Sequence, residues 1–206
     1  FEPGVVKGGT FEFAISGAGS TMLVLQTVLP ALINASTPST LRLSGGTHNP
    51  MAPSFHFIER AFSPWVERVG GHLQLELRRC GFYPAGGGEV QALITPVNTG
   101  APQEPICVID RGAFVEARAE ALVAGISTRV AERELSELAR ELEWAEGQCM
   151  SLPLRQNEGP GNALLATLRY ERAVEVICEL GERAVSSEVI ARRLAAQVRA
   201  YQHRTA

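Results

Sequence analysis

The run SGGTHNPMAPSFHF, Ser44 to Phe57, narrows the folds open to this chain more than any other stretch. It leaves a short apolar strand at Leu41 and Leu43, passes two glycines and an Asn-Pro step, and enters a helix near Pro53. Proline in the first helical turn is pre-set for helix entry, and Ser54 beside it is a candidate cap. Two readings stay open for the loop. It is either a surface connection whose glycines and prolines only steer the chain, or a loop built to meet a ligand, since no core needs it.

Taken in order, Thr10 to Ile15 alternates as a strand, with Phe11, Phe13 and Ile15 on one face. Gly17, Gly19 and Ser20 then turn the chain into a helix, either as a tight turn capped by Ser20 or Thr21 or as a helix start whose free N–H groups hold an anion. The helix from Thr21 to Asn34 is apolar nearly all round, which predicts burial on most faces. Gln26 is the exception, and a buried amide needs partners from the backbone or from a ligand. Pro30 is expected to bend this helix.

A second helix, Ser54 to Val69, is expected to turn Ile58, Phe62, Trp65 and Val69 inward, with Pro64 disturbing its middle. His72 to Arg78 alternates with Leu73, Leu75 and Leu77 inward, and Glu89 to Thr95 reads as its partner strand after the YPAGGG turn. The order strand, helix, strand, helix, strand, strand makes one compact α+β unit ending near Val97.

Asn98 to Pro105 reads as a linker. Beyond it Ile106 to Ile109 and Ala113 to Ala124 look extended, and a helix from Ser127 to Trp144 lines up Ala131, Leu135, Leu138 and Leu142. Strands are expected at Gln148 to Leu154, Asn162 to Glu171 and Ala173 to Leu180. A last helix from Ser186 turns Ile190, Leu194, Val198 and Tyr201 inward. Its outer face carries Arg192, Arg193, Arg199 and Arg204, which suits a solvated face better than an RNA contact.

Composition bounds the function. With 206 residues the chain has room for two domains of about 100 residues each. Its longest apolar run, Met22 to Ile33, is broken by Gln26, Thr27 and Pro30 and falls short of the ~18 residues of a membrane span. The chain starts with Phe1, and nothing near it resembles a signal peptide, so a start inside a longer gene product is expected. Cys80, Cys107, Cys149 and Cys178 are dispersed without a CxxC pair, which argues against a zinc site or a disulfide framework and for a reducing, cytoplasmic setting. A net charge of −3 is not that of a general polyanion binder, so a nucleic-acid ligand would be gripped only over a short piece.

Three glycine-rich stretches stand in order: GAGST (Gly17 to Thr21), the loop from Ser44, and CGFYPAGGGEV (Cys80 to Val90). With LVLQTVLPAL (Leu23 to Leu32), RVAEREL (Arg129 to Leu135) and NEGPGN (Asn157 to Asn162), the whole chain resembles the RNA 3′-terminal phosphate cyclase family. The resemblance implies an α+β fold, with a repeated strand-helix-strand-helix-strand-strand unit of the cyclase and enolpyruvyl-transferase type plus a smaller inserted α/β domain. Residues 1–97 look like the second of three repeats, and 98–206 like the inserted domain.

The activity implied is the ATP-dependent conversion of an RNA 3′-terminal phosphate to a 2′,3′-cyclic phosphate through an enzyme-histidine-AMP intermediate, with a divalent metal, Mg or Mn. The motif of the nucleophilic histidine lies outside this chain, as does the N-terminal motif with its acidic residue and arginines. No catalytic residue and no metal ligand is therefore assigned here. His48, His56, His72 and His203 fall outside the nucleophile's context, and His48 and His56 are expected at the surface. The resemblance places Gln26 against the bound nucleotide and Pro53 and Phe57 against its adenine ring. A departure is Cys80, where the family has a basic residue or histidine; a small apolar filler is expected there. The expected partners are ATP and RNA 3′ ends, with no membrane and no assignment of oligomeric state. A cyclase-like scaffold of ribosome assembly is the alternative, and an enolpyruvyl transferase fits poorly because its motifs are absent.

Overall fold

The structure is a computed structural model that describes residues 4–97 and 105–204. All of the expected linker except Pro105 lies outside the described residues. The chain divides into two compact units between Cys107 and Val108.

In the first unit β1 (Thr10–Ala14), α1 (Thr21–Leu32) and β2 (Ser39–Gly45) are followed by a helical stretch and by β3 (His72–Arg79) and β4 (Gly88–Thr95). The sheet order is β1-β2-β4-β3. β1 and β2 run parallel across the α1 crossover, while β4 is antiparallel to both its neighbours. Strand alternation sends Leu41, Leu43, Val90, Ala92, Ile94 and Leu73 into a core with Met22, Leu25 and Ile58. Each of the larger side chains among them contributes about 1.5–3 kcal/mol when fully buried. The opposite face carries a polar row, Glu12, Arg42, Gln91 and Glu76, whose members are register partners across all four strands.

Two expectations need correction in this unit. α1 is not buried all round: Leu23 is 46% exposed, and Thr27, Pro30 and Ala31 also face outward, because a helix on one sheet buries one stripe. The second helix is not regular either. It is built from α2 (Phe55–Phe57), a π-helical turn (Ile58–Phe62) and α3 (Ser63–Arg68). The wide turn stands just before Pro64, which has no N–H to give to a regular helix. It also rotates the later residues, so Ala61 and Val66 are buried where Phe62 and Trp65 were expected, and Val69 is exposed. Pro53 lies outside this helix, and Ser54 is its N-cap, with its hydroxyl accepting the Phe57 N–H at 3.2 Å.

The second unit contains β5 (Phe114–Ala124), α4 (Arg129–Leu142), β6 (Cys149–Pro153), β7 (Gly161–Tyr170), β8 (Val174–Leu180) and α5 (Ser187–His203). The sheet order is β6-β5-β7-β8, with β5 and β6 parallel and the other pairs antiparallel. Residues 106–109, expected to be extended, form no strand. Alanines 117, 119, 121, 131, 166, 191 and 195 fill much of the core and let α4 and α5 lie close on the sheet. Arg111 closes the C-terminal end of α5, where carbonyls lack helical partners. Its guanidinium donates to the Tyr201 and Gln202 carbonyls at 2.8 Å each and lies over the rings of Tyr170 and Tyr201. The arginine face of α5 is largely occupied by acidic partners: Arg192 pairs with Glu137, Arg193 with Glu182 and Arg199 with Glu141.

The two motifs of this unit meet inside it. Glu134 of RVAEREL is 1% exposed and accepts a hydrogen bond from Asn162 of NEGPGN at 2.7 Å. Among the described residues its second oxygen, Oε2, has no hydrogen-bond partner. Burial pushes the carboxyl from an ordinary 4.5 up to about 7, against the pull of the Asn162 bond. A raised acid favours its protonated form in the fold. The stability it allows is therefore full below about 4.5 and is lost as pH rises through about 7. Glu134→Gln keeps the acceptor for Asn162 and removes the ionisation. Denaturant unfolding is expected to show the variant gaining on wild type between pH 5 and pH 8; a constant difference would show that Glu134 titrates alike in the folded and unfolded chain.

Candidate functional site

Three turns meet at one end of the first unit's sheet, and they are the three glycine-rich stretches of the sequence. The GAGST turn follows β1, the loop from Ser44 follows β2, and the YPAGGG turn joins β3 to β4. Their backbones bond to one another directly. Gly46 N–H donates to the Gly19 carbonyl at 2.8 Å, and Thr21 N–H returns a bond to the Gly46 carbonyl at 2.9 Å. The Gly81 carbonyl accepts both Thr47 N–H at 2.9 Å and His48 N–H at 3.1 Å. The Asn49 amide adds a bond to the Ala18 carbonyl.

Such layers of backbone exclude side chains. A Cβ on Gly86, whose φ is +69°, would lie 2.0 Å from the Gly17 carbonyl oxygen, and one on Gly81 would lie 2.5 Å from that of Gly45. Gly81 and Gly86 are thus explained by close packing of the turns, whereas Gly17 and Gly87 have room for a Cβ and stand at positive φ, +64° and +72°. The helix start is also occupied from within: Thr21 N–H goes to Gly46, and Leu23 N–H goes to the Ser20 hydroxyl at 3.2 Å. Of the two readings of GAGST, the capped tight turn describes the structure, with Ser20 as the cap.

The loop after β2 is largely interior, so of its two readings the plain surface connection does not describe it. Thr47 and His48 are 0% exposed and His56 is 6%, so both histidines expected at the surface are buried. His48 Nε2 stands 3.1 Å from His56 Nδ1, and Thr47 Oγ1 stands 2.9 Å from His48 Nδ1. The Phe82 ring stacks on His48 with centroids 5.4 Å apart. Burial first, and His56 second, push His48 down to about 3, which keeps it neutral around pH 7. No local pattern marks these residues, because the surfaces that cover them come from β2, the YPAGGG turn and α2. Of the other histidines, His72 is exposed and pairs with Glu67, and His203 is exposed. Cys80 is buried at 2% exposure, as a small filler would be.

The three residues assigned to the nucleotide all lie in this unit and are all half-buried. Gln26 sits in the second turn of α1, and its amide makes no hydrogen bond among the described residues. Pro53 and Phe57 flank the Ser54 cap one helical turn apart, and Phe57 packs against the core from its inner side. The ring and the pyrrolidine thus keep some apolar surface open, and the Gln26 amide keeps its donor and acceptor free among the described residues. A hollow of about 310 Å³ lies elsewhere, on the polar face of the sheet among Glu12, Arg42, Ser44, Arg78 and Glu89. Its arginines are engaged, Arg42 with Glu12 and Arg78 with Glu76, both at 3.0 Å. Among the described residues no group of three His, Cys, Asp or Glu could hold a metal ion, and no helix is long and apolar enough to cross a membrane.

The family model described as RNA 3′-terminal phosphate cyclase matches residues 1–198. A protein of Pseudomonas fluorescens named RNA 3′-terminal phosphate cyclase is 44% identical over 191 residues, which is 93% of this chain and 55% of that protein. One of Ectopseudomonas mendocina with the same name is 41% identical over 203 residues, 98% of this chain and 58% of the relative. The chain therefore spans a little over half the length of these relatives.

The packing of the turns is directly testable. Gly86→Ala must move backbone as well as adopt a strained φ, and is expected to cost about 2–4 kcal/mol of stability. Denaturant unfolding measures it; a loss below ~0.5 kcal/mol would mean that the turns are not in contact.

Proposed function

This chain belongs to the RNA 3′-terminal phosphate cyclase family, and we propose that it is the central portion of an enzyme that uses ATP to convert an RNA 3′-terminal phosphate to a 2′,3′-cyclic phosphate. Residues 1–97 are read as the second repeat of the large domain and 98–206 as the inserted domain. In this reaction a histidine attacks the α-phosphate of ATP and releases pyrophosphate. The AMP passes to the RNA 3′-phosphate, and attack by the adjacent 2′-hydroxyl closes the ring and releases AMP. Both the nucleophile and its motif lie outside this chain. We place the activity in the cytoplasm, on the strength of the dispersed cysteines.

The part assigned to these residues is to hold the adenine. Phe57 and Pro53 offer it an apolar wall, and the Gln26 amide offers a donor and an acceptor. The observation that carries this reading is Gln26: a half-buried amide with no hydrogen-bond partner among the described residues. An amide so placed gains most from a ligand that supplies the missing bonds. A divalent cation, Mg or Mn, would accompany the triphosphate, but the described residues offer it no ligand cluster. The names of the relatives and the retention of Gln26, Pro53 and Phe57 favour the enzyme over the scaffold alternative.

The decisive experiment incubates the full-length gene product with metal and ATP labelled at the α-phosphate. An acid-labile protein adduct is expected; its absence from folded protein would turn the reading to the scaffold. In the same protein Gln26→Ala is expected to weaken ATP binding by about tenfold, as loss of one or two hydrogen bonds to a ligand does. Equal affinities by calorimetry would remove Gln26 from the site.

A further inference from the structure

We propose that Thr47, His48 and His56 form a directional hydrogen-bond clasp that fixes the loop carrying Pro53 and Phe57, and so act as positioning residues for ATP. The inference rests on the assignment of the adenine wall to Pro53 and Phe57.

The direction follows from the geometry of acceptors. The Gly81 carbonyl has two lone pairs, and both are taken by backbone N–H groups, from Thr47 at 2.9 Å and His48 at 3.1 Å. Thr47 Oγ1 accepts from Gly81 N–H at 3.0 Å. Its own proton then has two possible acceptors, the filled Gly81 carbonyl at 3.4 Å or His48 Nδ1 at 2.9 Å. It goes to His48 Nδ1, which is therefore unprotonated. The His48 proton sits on Nε2 and is donated to His56 Nδ1 at 3.1 Å. That leaves His56 with its proton on Nε2. One hydroxyl thus sets the tautomer of two rings in series.

The clasp closes the base of the loop. His48 and His56 are its two ends, and a second bond, Phe55 N–H to the Thr47 carbonyl at 3.1 Å, runs beside them. Within the loop Met51 is fully exposed with φ +61°, so its tip gains nothing from the core. Pro53 lies inside the closed loop, and Phe57 follows His56 directly. An apolar pair in place of the histidines would pack equally well but would not select one approach of the two loop ends; a hydrogen bond of fixed direction does. The stack of Phe82 on His48 ties the same clasp to the YPAGGG turn.

The test uses the full-length gene product with 15N-labelled histidine. At neutral pH the imidazole nitrogen shifts of His48 and His56 are expected to show both rings protonated on Nε2 alone. Thr47→Val keeps the side-chain volume but removes the hydroxyl, and is expected to release the His48 tautomer and weaken ATP binding. His48→Ala and His56→Ala are expected to weaken ATP binding by about tenfold. His48→Gln places an amide nitrogen near the lost Nε2, and His56→Asn an amide oxygen near the lost Nδ1, so each is expected to restore affinity to within about threefold of wild type. A His48 protonated on Nδ1, or no difference between the alanine and amide variants, overturns the clasp. Wild-type protein that binds no ATP overturns the nucleotide reading and with it any positioning role, whereas normal ATP binding by His56→Ala overturns the clasp alone.

Discussion

The contact of backbone with backbone, where three turns share one end of a sheet, is the constraint on which the first unit depends. Each turn supplies donors that another turn accepts: Gly46 to Gly19, Thr21 to Gly46, Thr47 and His48 to Gly81. Buried peptide groups must be paired, and here the partner of each turn is another turn rather than a strand. The approach is closer than any Cβ permits, which is why Gly81 and Gly86 stand where they do. Once the turns are locked, the ends of β1 and β2 and the β3–β4 connection are placed together, and the loop after β2 has an interior to enter.

Burial of that loop gives it polar contents that an exposed loop would not need. Thr47, His48 and His56 sit in a space lined by backbone and by Phe82, and satisfy one another there. A neutral His48, driven far below its ordinary range by burial, is a consequence of this placement. The half-buried residues Pro53 and Phe57 flank the cap that follows, so a rigid base supports a partly open rim. The adenine wall proposed for Pro53 and Phe57 would gain precision in this way, because the loop tip is free while its two ends are not.

The second unit solves a different packing problem. Its core is rich in alanine, so α4 and α5 approach the sheet closely, and its polar requirements are met at named points: Arg111 at the end of α5 and the Glu134–Asn162 pair between helix and sheet. The arginines along α5 are largely engaged with carboxylates of the same unit. Surface pairs of that kind contribute little stability, about 0–1 kcal/mol each, but they occupy charges that would otherwise suit a polyanion.

The order of elements was legible in the sequence because strand alternation and helical spacing are local properties of the chain. Leu73, Leu75 and Leu77 announced β3, and Ala131, Leu135, Leu138 and Leu142 announced α4, before any neighbour was known. The family could be read from motif order, and so could Ser20 and Ser54 as caps, since a cap bonds within its own turn. Contact between segments distant in the chain was not legible. The π turn at Ile58–Phe62 moved the buried face of its helix, the outer stripe of α1 was exposed by a single sheet, and His48 was covered by Phe82 and bonded to Gly81, both from a turn far along the chain. Spacing along a chain determines which face a helix or strand presents, whereas only the assembled turns decide what lies against that face and whether water reaches it.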